Sequence, residues 1–330
     1  MVARMVTYDS IVFTRCPVPT ATGIAADLGW LTEEFARHGL GVRSLQDGAP
    51  DLAADVHYTH AHPALFREGG NVPALWARSH GEPTRLIGLT WIEERQAILV
   101  RPDSQISEAG QLKGARLAIP RREIAIDFWR AMALHGFAGA LGLAGLDLAD
   151  ATLTEVPAER RAAQWEAELT ALIRGDVDAV YVKGAVAAEA AARFGVRTGI
   201  DLDKVPDRRA RVNNGTPRPI TVHQRLLDER PELVVAFLEV LLRASDWAAA
   251  NPDGVARILA AETGSGPAGV SAAYQHADLH ADLSAERLEL LAEQEFFLRQ
   301  HGFLAAPVEV QEWADHVPLA TAAALSGEPA

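Results

Sequence analysis

Between residues 10 and 90, short β-branched and aromatic runs alternate with amphipathic helical stretches, and this alternation constrains the chain more than any other feature. Helices interleaved with strands can cover both faces of a sheet, so the pattern specifies an α/β fold rather than a helical bundle or a β-sandwich. Residues 10–14 read as a strand, 30–38 as a helix ended by Gly39, and 42–45 as a second strand. Residues 55–59 read as a third strand, and Pro63 is expected to open a short helix at its first turn, where its missing N–H costs nothing. A helix over 72–79 and a strand over 84–90 complete the series.

Near residues 98–101 the chain leaves this first lobe. Pro102-Asp103-Ser104 is a turn, and Leu117-Ala118-Ile119-Pro120 begins a fresh strand. Residues 162–174 read as a long helix, and the run from Gly175 to Tyr181 as a tight turn feeding a buried strand. After Thr216-Pro217-Arg218-Pro219 comes a short strand at 220–223, then nearly continuous helix to Trp313 and a frayed acidic, alanine-rich tail after Leu319. The two crossings read as a hinge. Lobe I is then built from 1–100 and 219–330, with lobe II, 101–218, inserted between them to close over a substrate. A chain of 330 residues exceeds one ordinary core, in keeping with two lobes.

The formal net charge of −13 would repel a phosphate backbone and an anionic membrane face, so neither nucleic acid nor membrane is an expected partner. No stretch approaches the ~20 apolar residues of a membrane span, and residues 1–10 lack the apolar core of a secretory signal, so the expected location is the cytoplasm. Cys16 is the sole cysteine, which forbids an intrachain disulfide and suits a reducing compartment.

Cys16 sits in the run from Val12 to Thr20, where a strand gives way to a proline-rich loop. Arg15 beside it and a helix expected to start near Thr20 both favour thiolate over thiol. His57, His60 and His62 form a histidine-rich segment of the kind that ligates zinc. Strand alternation, however, would set His60 and His62 on one face and His57 on the other, and no HExxH or paired-cysteine spacing accompanies them. No metal is therefore expected.

Three blocks resemble the type II periplasmic-binding-protein fold, especially its sulfonate, nitrate, taurine and thiamine-precursor group. They are "WLTEEFARHGLGV" from Trp30, "GDVDAVY" from Gly175 and "RPELVVAFLEVLLRASDWAAANPD" from Arg230. That resemblance implies mixed, mainly parallel sheets flanked by helices in two lobes, with a ligand cleft between them. A narrower set resembles the aryl-sulfinate (2′-hydroxybiphenyl-2-sulfinate) desulfinase family: "CPVP" from Cys16, "VHYTHAHPALFREGG" from Val56 to Gly70, "TRLIGL" from Thr84, "RQAILVRPDSQI" from Arg95 and "FFLRQHGFLAAPVEVQEW" ending at Trp313. It spans nearly the whole chain and is weakest over 121–151.

The narrower resemblance implies a hydrolase that cleaves a carbon–sulfur bond of an aryl sulfinate and releases sulfite without a cofactor, and the two-lobe clamp of the broader resemblance implies a monomer. The desulfinase resemblance assigns catalysis to Cys16, to His57 on the third strand and to Arg67, with the Gly70 amide as a donor to the sulfinate, and the neighbouring Gly69, Tyr58 and Thr14 are expected as further substrate contacts. Tyr58 reads equally as a pocket wall or as core. A forked guanidinium suits a compact anion with in-plane acceptors. His57 would orient the thiol or relay its proton, and Cys16 would either protonate the departing carbon or attack sulfur as a thiolate. An incoming sulfinate about 4 Å away opposes the thiolate by roughly 4 kcal/mol at an effective dielectric near 20, which favours the acid role. Two other readings stand beside this one: a non-catalytic binding protein for a sulfonate or carboxylate, and an enzyme of the same scaffold acting on another anion.

Overall fold

The computed structural model describes residues 8–15, 18–47, 56–159, 163–263, 266, 270, 274 and 276–327. The chain divides into two compact units, Met1–Ile92 with Pro217–Thr263 and Ala277–Ala330, and Glu93–Thr216 with Gly264–His276. The strands are β1 (Ser10–Phe13), β2 (Gly41–Ser44), β3 (Leu65–Glu68), β4 (Thr84–Glu93), β5 (Gln96–Val100), β6 (Arg116–Arg121), β7 (Thr152–Pro157), β8 (Val180–Lys183), β9 (Arg197–Asp201), β10 (Arg218–His223) and β11 (His276–Asp282). The first division falls ahead of β5, because that strand pairs with β8 and β9 of the second unit.

In the first unit the strand order is β11-β4-β10-β3-β1-β2. β1 runs parallel to β2 and β3, whereas β10 is antiparallel to β3 and β4. The second unit holds the antiparallel sheet β8-β5-β9 and the parallel pair β6-β7. The sheets are therefore mixed, and among the described pairings the parallel ones do not predominate. Among the described residues, no helix is long and apolar enough to cross a membrane.

β1 lies inside the sheet because Ile11, Val12 and Phe13 form a continuous apolar run, all buried. Its neighbour β3 is covered by the helix Pro231–Ala250, whose Val234, Phe237, Leu238 and Leu241 recur at helical spacing and are all buried. Phe237 stacks on Phe66 of β3 with ring centroids 4.1 Å apart, a contact of about 0.5–1.5 kcal/mol beyond the area it buries. That stack fixes the strand on which the next two residues, Arg67 and Glu68, are carried.

Four further expectations change: the segment after Leu319, expected to fray, is helical as far as Ser326. Residues 56–59 are not a strand: Val56–Thr59 is one helical turn, closed by the His60 N–H donating to the Val56 carbonyl at 2.9 Å and by His60 itself at φ 57. Pro63 opens no helix, since the chain passes directly into β3. The C-terminal third is interrupted by β11, where Leu279 and Ala281 are buried and Asp278 is exposed. The helix expected over 162–174 is Glu166–Arg174, ended by Gly175 at φ 81 as its sequence implies. Its expected first residue, 162, lies outside the described residues.

Candidate functional site

β3 ends in two charged residues, Arg67 and Glu68, that are 1% and 0% exposed. Strand alternation sends them to opposite faces. The Arg67 Nε donates to the carbonyl of His57 at 3.1 Å, tying the strand to the helical turn Val56–Thr59. Its guanidinium then lies across Gly69: a Cβ built there would sit 2.9 Å from Cζ and 2.9–3.0 Å from the two terminal nitrogens. A methyl at 69 would displace the arginine head, which occupies the space of a side chain. The Gly69 N–H donates to the Pro219 carbonyl at 3.2 Å, and Gly70 caps the helix Asn71–Ser79 without a side-chain hydrogen bond. That helix is anchored by its first residue. Asn71, fully buried, donates to the Pro217 carbonyl at 2.9 Å and accepts from Gln294 at 3.1 Å.

His57 stands edge-on to Tyr58, with ring centroids 5.1 Å apart, and both residues are half-buried. Among the described residues its buried Nδ1 has no hydrogen-bond partner. Burial first, and then the charges of Arg67, His60 and Arg218, push its pKa from 6.5 down to about 3, so the ring is neutral near pH 7. It can accept or pass a proton but is no resident cation.

His60 is 1% exposed, with Nε2 3.0 Å from the Thr221 hydroxyl, and burial followed by Arg67 likewise lowers its pKa to about 3. Between pH 6.5 and 3 the unfolded chain therefore binds the proton that the folded chain refuses. Stability is full above the upper value and falls with acidification by about 1.4 kcal/mol per pH unit. Going from pH 7 to pH 5, denaturant unfolding of the wild type is expected to lose about 2 kcal/mol more than that of His60→Gln, which has nothing to protonate. Equal losses would contradict a buried neutral His60.

The histidine segment is not a strand, so the alternation argument against a metal does not apply to it. His62 Nδ1 accepts from the Ala64 N–H at 3.2 Å, and among the described residues no group of three or more His, Cys, Asp or Glu side chains is arranged to hold a metal ion.

Cys16 lies outside the described residues, but both flanks of its segment are placed. Thr14 is fully buried, its N–H donating to the Phe66 carbonyl at 3.2 Å and its hydroxyl to the Glu68 carbonyl at 3.1 Å. Arg15, expected to bias the thiol toward thiolate, is instead paired with Glu262, whose Oε1 takes Nε at 3.1 Å and Nη2 at 2.8 Å. The nearby helix Ala21–Asp27 has its first-turn amides engaged: Thr22 N–H donates to the Glu68 carboxylate at 2.9 Å and Gly23 N–H to the Thr20 hydroxyl at 2.9 Å. Arg15 and the first-turn amides, the two features named for the thiol in the sequence, are thus each engaged by other groups of the first unit.

The first unit accordingly holds Thr14 just after β1, His57 and Tyr58 on the turn Val56–Thr59, Arg67 on β3, and Gly69 and Gly70 just after β3. It adds Glu68, His60 and Asn71, which the sequence analysis did not single out as working residues. The visible signal for Glu68 was a carboxylate directly after an arginine in an otherwise apolar run, "LFREGG".

The NMT1/THI5-like family matches residues 20–255. The chain is 31% identical to a 2′-hydroxybiphenyl-2-sulfinate desulfinase of Rhodococcus erythropolis, covering 93% of this chain and 91% of the relative. Among solved structures, the desulfurization enzyme DszB superposes with a TM-score of 0.73 at 25% identity, over 96% of this chain and 99% of that one. A Cys-to-Ser variant of DszB in complex with biphenyl-2-sulfinic acid gives 0.75 at 25% identity, over 97% and 100%. The periplasmic aliphatic sulphonate-binding protein SsuA of Escherichia coli gives 0.71 at 14% identity, over 94% and 93%. At that identity the likeness to SsuA speaks for the fold alone, the two-lobe type II periplasmic-binding-protein fold.

Proposed function

The chain belongs to the NMT1/THI5-like family and to the 2′-hydroxybiphenyl-2-sulfinate desulfinase family, and on that premise we propose that it hydrolyses the carbon–sulfur bond of an aryl sulfinate to an arene and sulfite. One observation carries the reading to this chain's own residues: a buried arginine fork laid over Gly69, beside a neutral histidine, on the strand adjacent to the one that leads to Cys16. Arg67 and the amides that follow Gly69 are suited to hold sulfinate oxygens, since a guanidinium offers paired in-plane donors and a helix start favours an anion. The relative whose cysteine-to-serine variant was obtained with biphenyl-2-sulfinic acid supports the ligand class.

Cys16 acts as the acid. Arg15 paired to Glu262 and the engaged amides of Thr22 and Gly23 are less able to stabilise a thiolate, and the bound sulfinate opposes one further. The thiol proton forms the new C–H bond, the C–S electron pair stays with the ring carbon, and sulfur departs as sulfur dioxide. Water adds to sulfur dioxide to give bisulfite and a proton, and neutral His57 relays a proton back to the Cys16 thiolate. The sum is sulfinate plus water giving arene plus bisulfite, which needs no metal or organic cofactor. We place the reaction in the cytoplasm, where a single thiol stays reduced. Incubation with biphenyl-2-sulfinate and assay of free sulfite tests the proposal. Catalytic sulfite supports it, whereas a stoichiometric complex with no sulfite makes the chain a binding protein.

A further inference from the structure

Glu68 is the second of the two buried charges on β3, and four of its contacts bear on the cysteine segment and its strand. Its Oε2 accepts from the Thr22 N–H at 2.9 Å and from the Thr22 hydroxyl at 2.7 Å, and its Oε1 accepts from the Thr90 hydroxyl at 3.2 Å. Its backbone carbonyl accepts from the Thr14 hydroxyl at 3.1 Å. Thr14 precedes Cys16 and Thr22 follows it, so one residue holds the chain on both sides of the cysteine segment. The same residue directly follows Arg67.

A carboxylate is costly to bury unless its oxygens are well supplied with donors, and Glu68 follows Leu65 and Phe66 in a strand that is buried throughout. An apolar side chain could fill this volume, but it could not accept from an amide and two hydroxyls at once. We infer that Glu68 is a positioning residue that ties Thr14 and Thr22, the two described flanks of Cys16, to the strand carrying Arg67. The inference rests on the desulfinase reading for its effect on turnover, and on geometry alone for its effect on the thiol.

Because Cys16 is the only cysteine, alkylation of the full chain by iodoacetamide reports on that residue alone. The experiment records alkylation rate against pH for the wild type, Glu68→Ala and Glu68→Gln, with kcat and KM for biphenyl-2-sulfinate beside it. Glu68→Ala is expected to change the alkylation rate by about tenfold or more, because thiol reactivity follows local field and access. It is also expected to lower kcat by about 100-fold while KM moves less than about threefold, since misplacing one reacting group by about an ångström has that effect on the chemical step. Glu68→Gln restores most of both, because its carbonyl oxygen still accepts from Thr22 and its amide can donate to the rotatable Thr90 hydroxyl. Should Glu68→Ala fail to fold, Thr14→Val, which removes only the tether to the Glu68 carbonyl, is read in its place with the same direction expected. An alkylation profile superimposable on that of the wild type overturns the inference. A wild type that releases no sulfite ends the desulfinase reading instead, and the alkylation profiles still decide the role of Glu68.

Discussion

Cys16→Ser is expected to lower sulfite release from an aryl sulfinate by about 1000-fold or more while leaving sulfinate affinity within about threefold of the wild type. The two halves of that result have separate physical sources. In the proposed mechanism binding comes from Arg67 and the amides after Gly69, and the substitution alters neither. Turnover needs a proton delivered to a ring carbon, and a serine hydroxyl is many orders of magnitude weaker an acid than a thiol. Sulfite assay gives the first quantity and calorimetric titration the second. A variant that turns over at the wild-type rate moves the acid elsewhere, and a variant that no longer binds makes Cys16 part of the anion site. A thiosulfonate-like adduct on Cys16, trapped and seen by mass spectrometry, would replace the acid role with the nucleophilic one.

In the Cys16→Ser background, Arg67→Ala is expected to weaken sulfinate binding about 100-fold, close to 3 kcal/mol, the scale of a lost charge-assisted hydrogen-bonded pair. Arg67→Lys should not rescue it, because an ammonium has no Nε to hold the His57 carbonyl and no fork to span two oxygens. Gly69→Ala provides an independent displacement of the same group. Its methyl would enter the 2.9–3.0 Å shell around the guanidinium, so the arginine head must leave its place while the strand beneath remains. Affinity should fall about tenfold in Gly69→Ala, with a thermal midpoint shifted by only a few degrees, roughly the effect of 1 kcal/mol or less. Undiminished affinity in either variant would remove Arg67 from the site.

Much of the scaffold is legible in the sequence because local patterns carry it. β1, the helix Trp30–Arg37, the helix Asn71–Ser79, β4 and β8 all fall where apolar periodicity and glycine stops put them. The histidine turn misleads because Val56-His57-Tyr58-Thr59 is composed of strand-favouring types, and its geometry is decided by a left-handed residue that follows it. β3 hides for the opposite reason: half of it is charged, and its burial comes from β1 and β10 on either side and Phe237 above. β11 alternates, yet its small Ala281 gives a weak strand signal.

Within the site, the residue types at 57, 67, 69 and 70 are readable from one short block. What decides their electrostatics is not. Arg15 meets the Glu262 carboxylate across 247 positions and Thr22 meets the Glu68 carboxylate across 46, so no local window contains both partners. The sequence therefore shows the cation at Arg15 and the helix start at Thr20, and tertiary pairing supplies the carboxylates that Arg15 and the Thr22 N–H meet.

Incubation of the wild-type protein with biphenyl-2-sulfinate in deuterium oxide, with sulfite and arene quantified together, tests the central claim most directly. The expected result is many turnovers with equal amounts of sulfite and biphenyl, each biphenyl carrying one deuterium at the carbon that bore sulfur. Recovery of the sulfinate intact, bound at one equivalent with no sulfite formed, would contradict it.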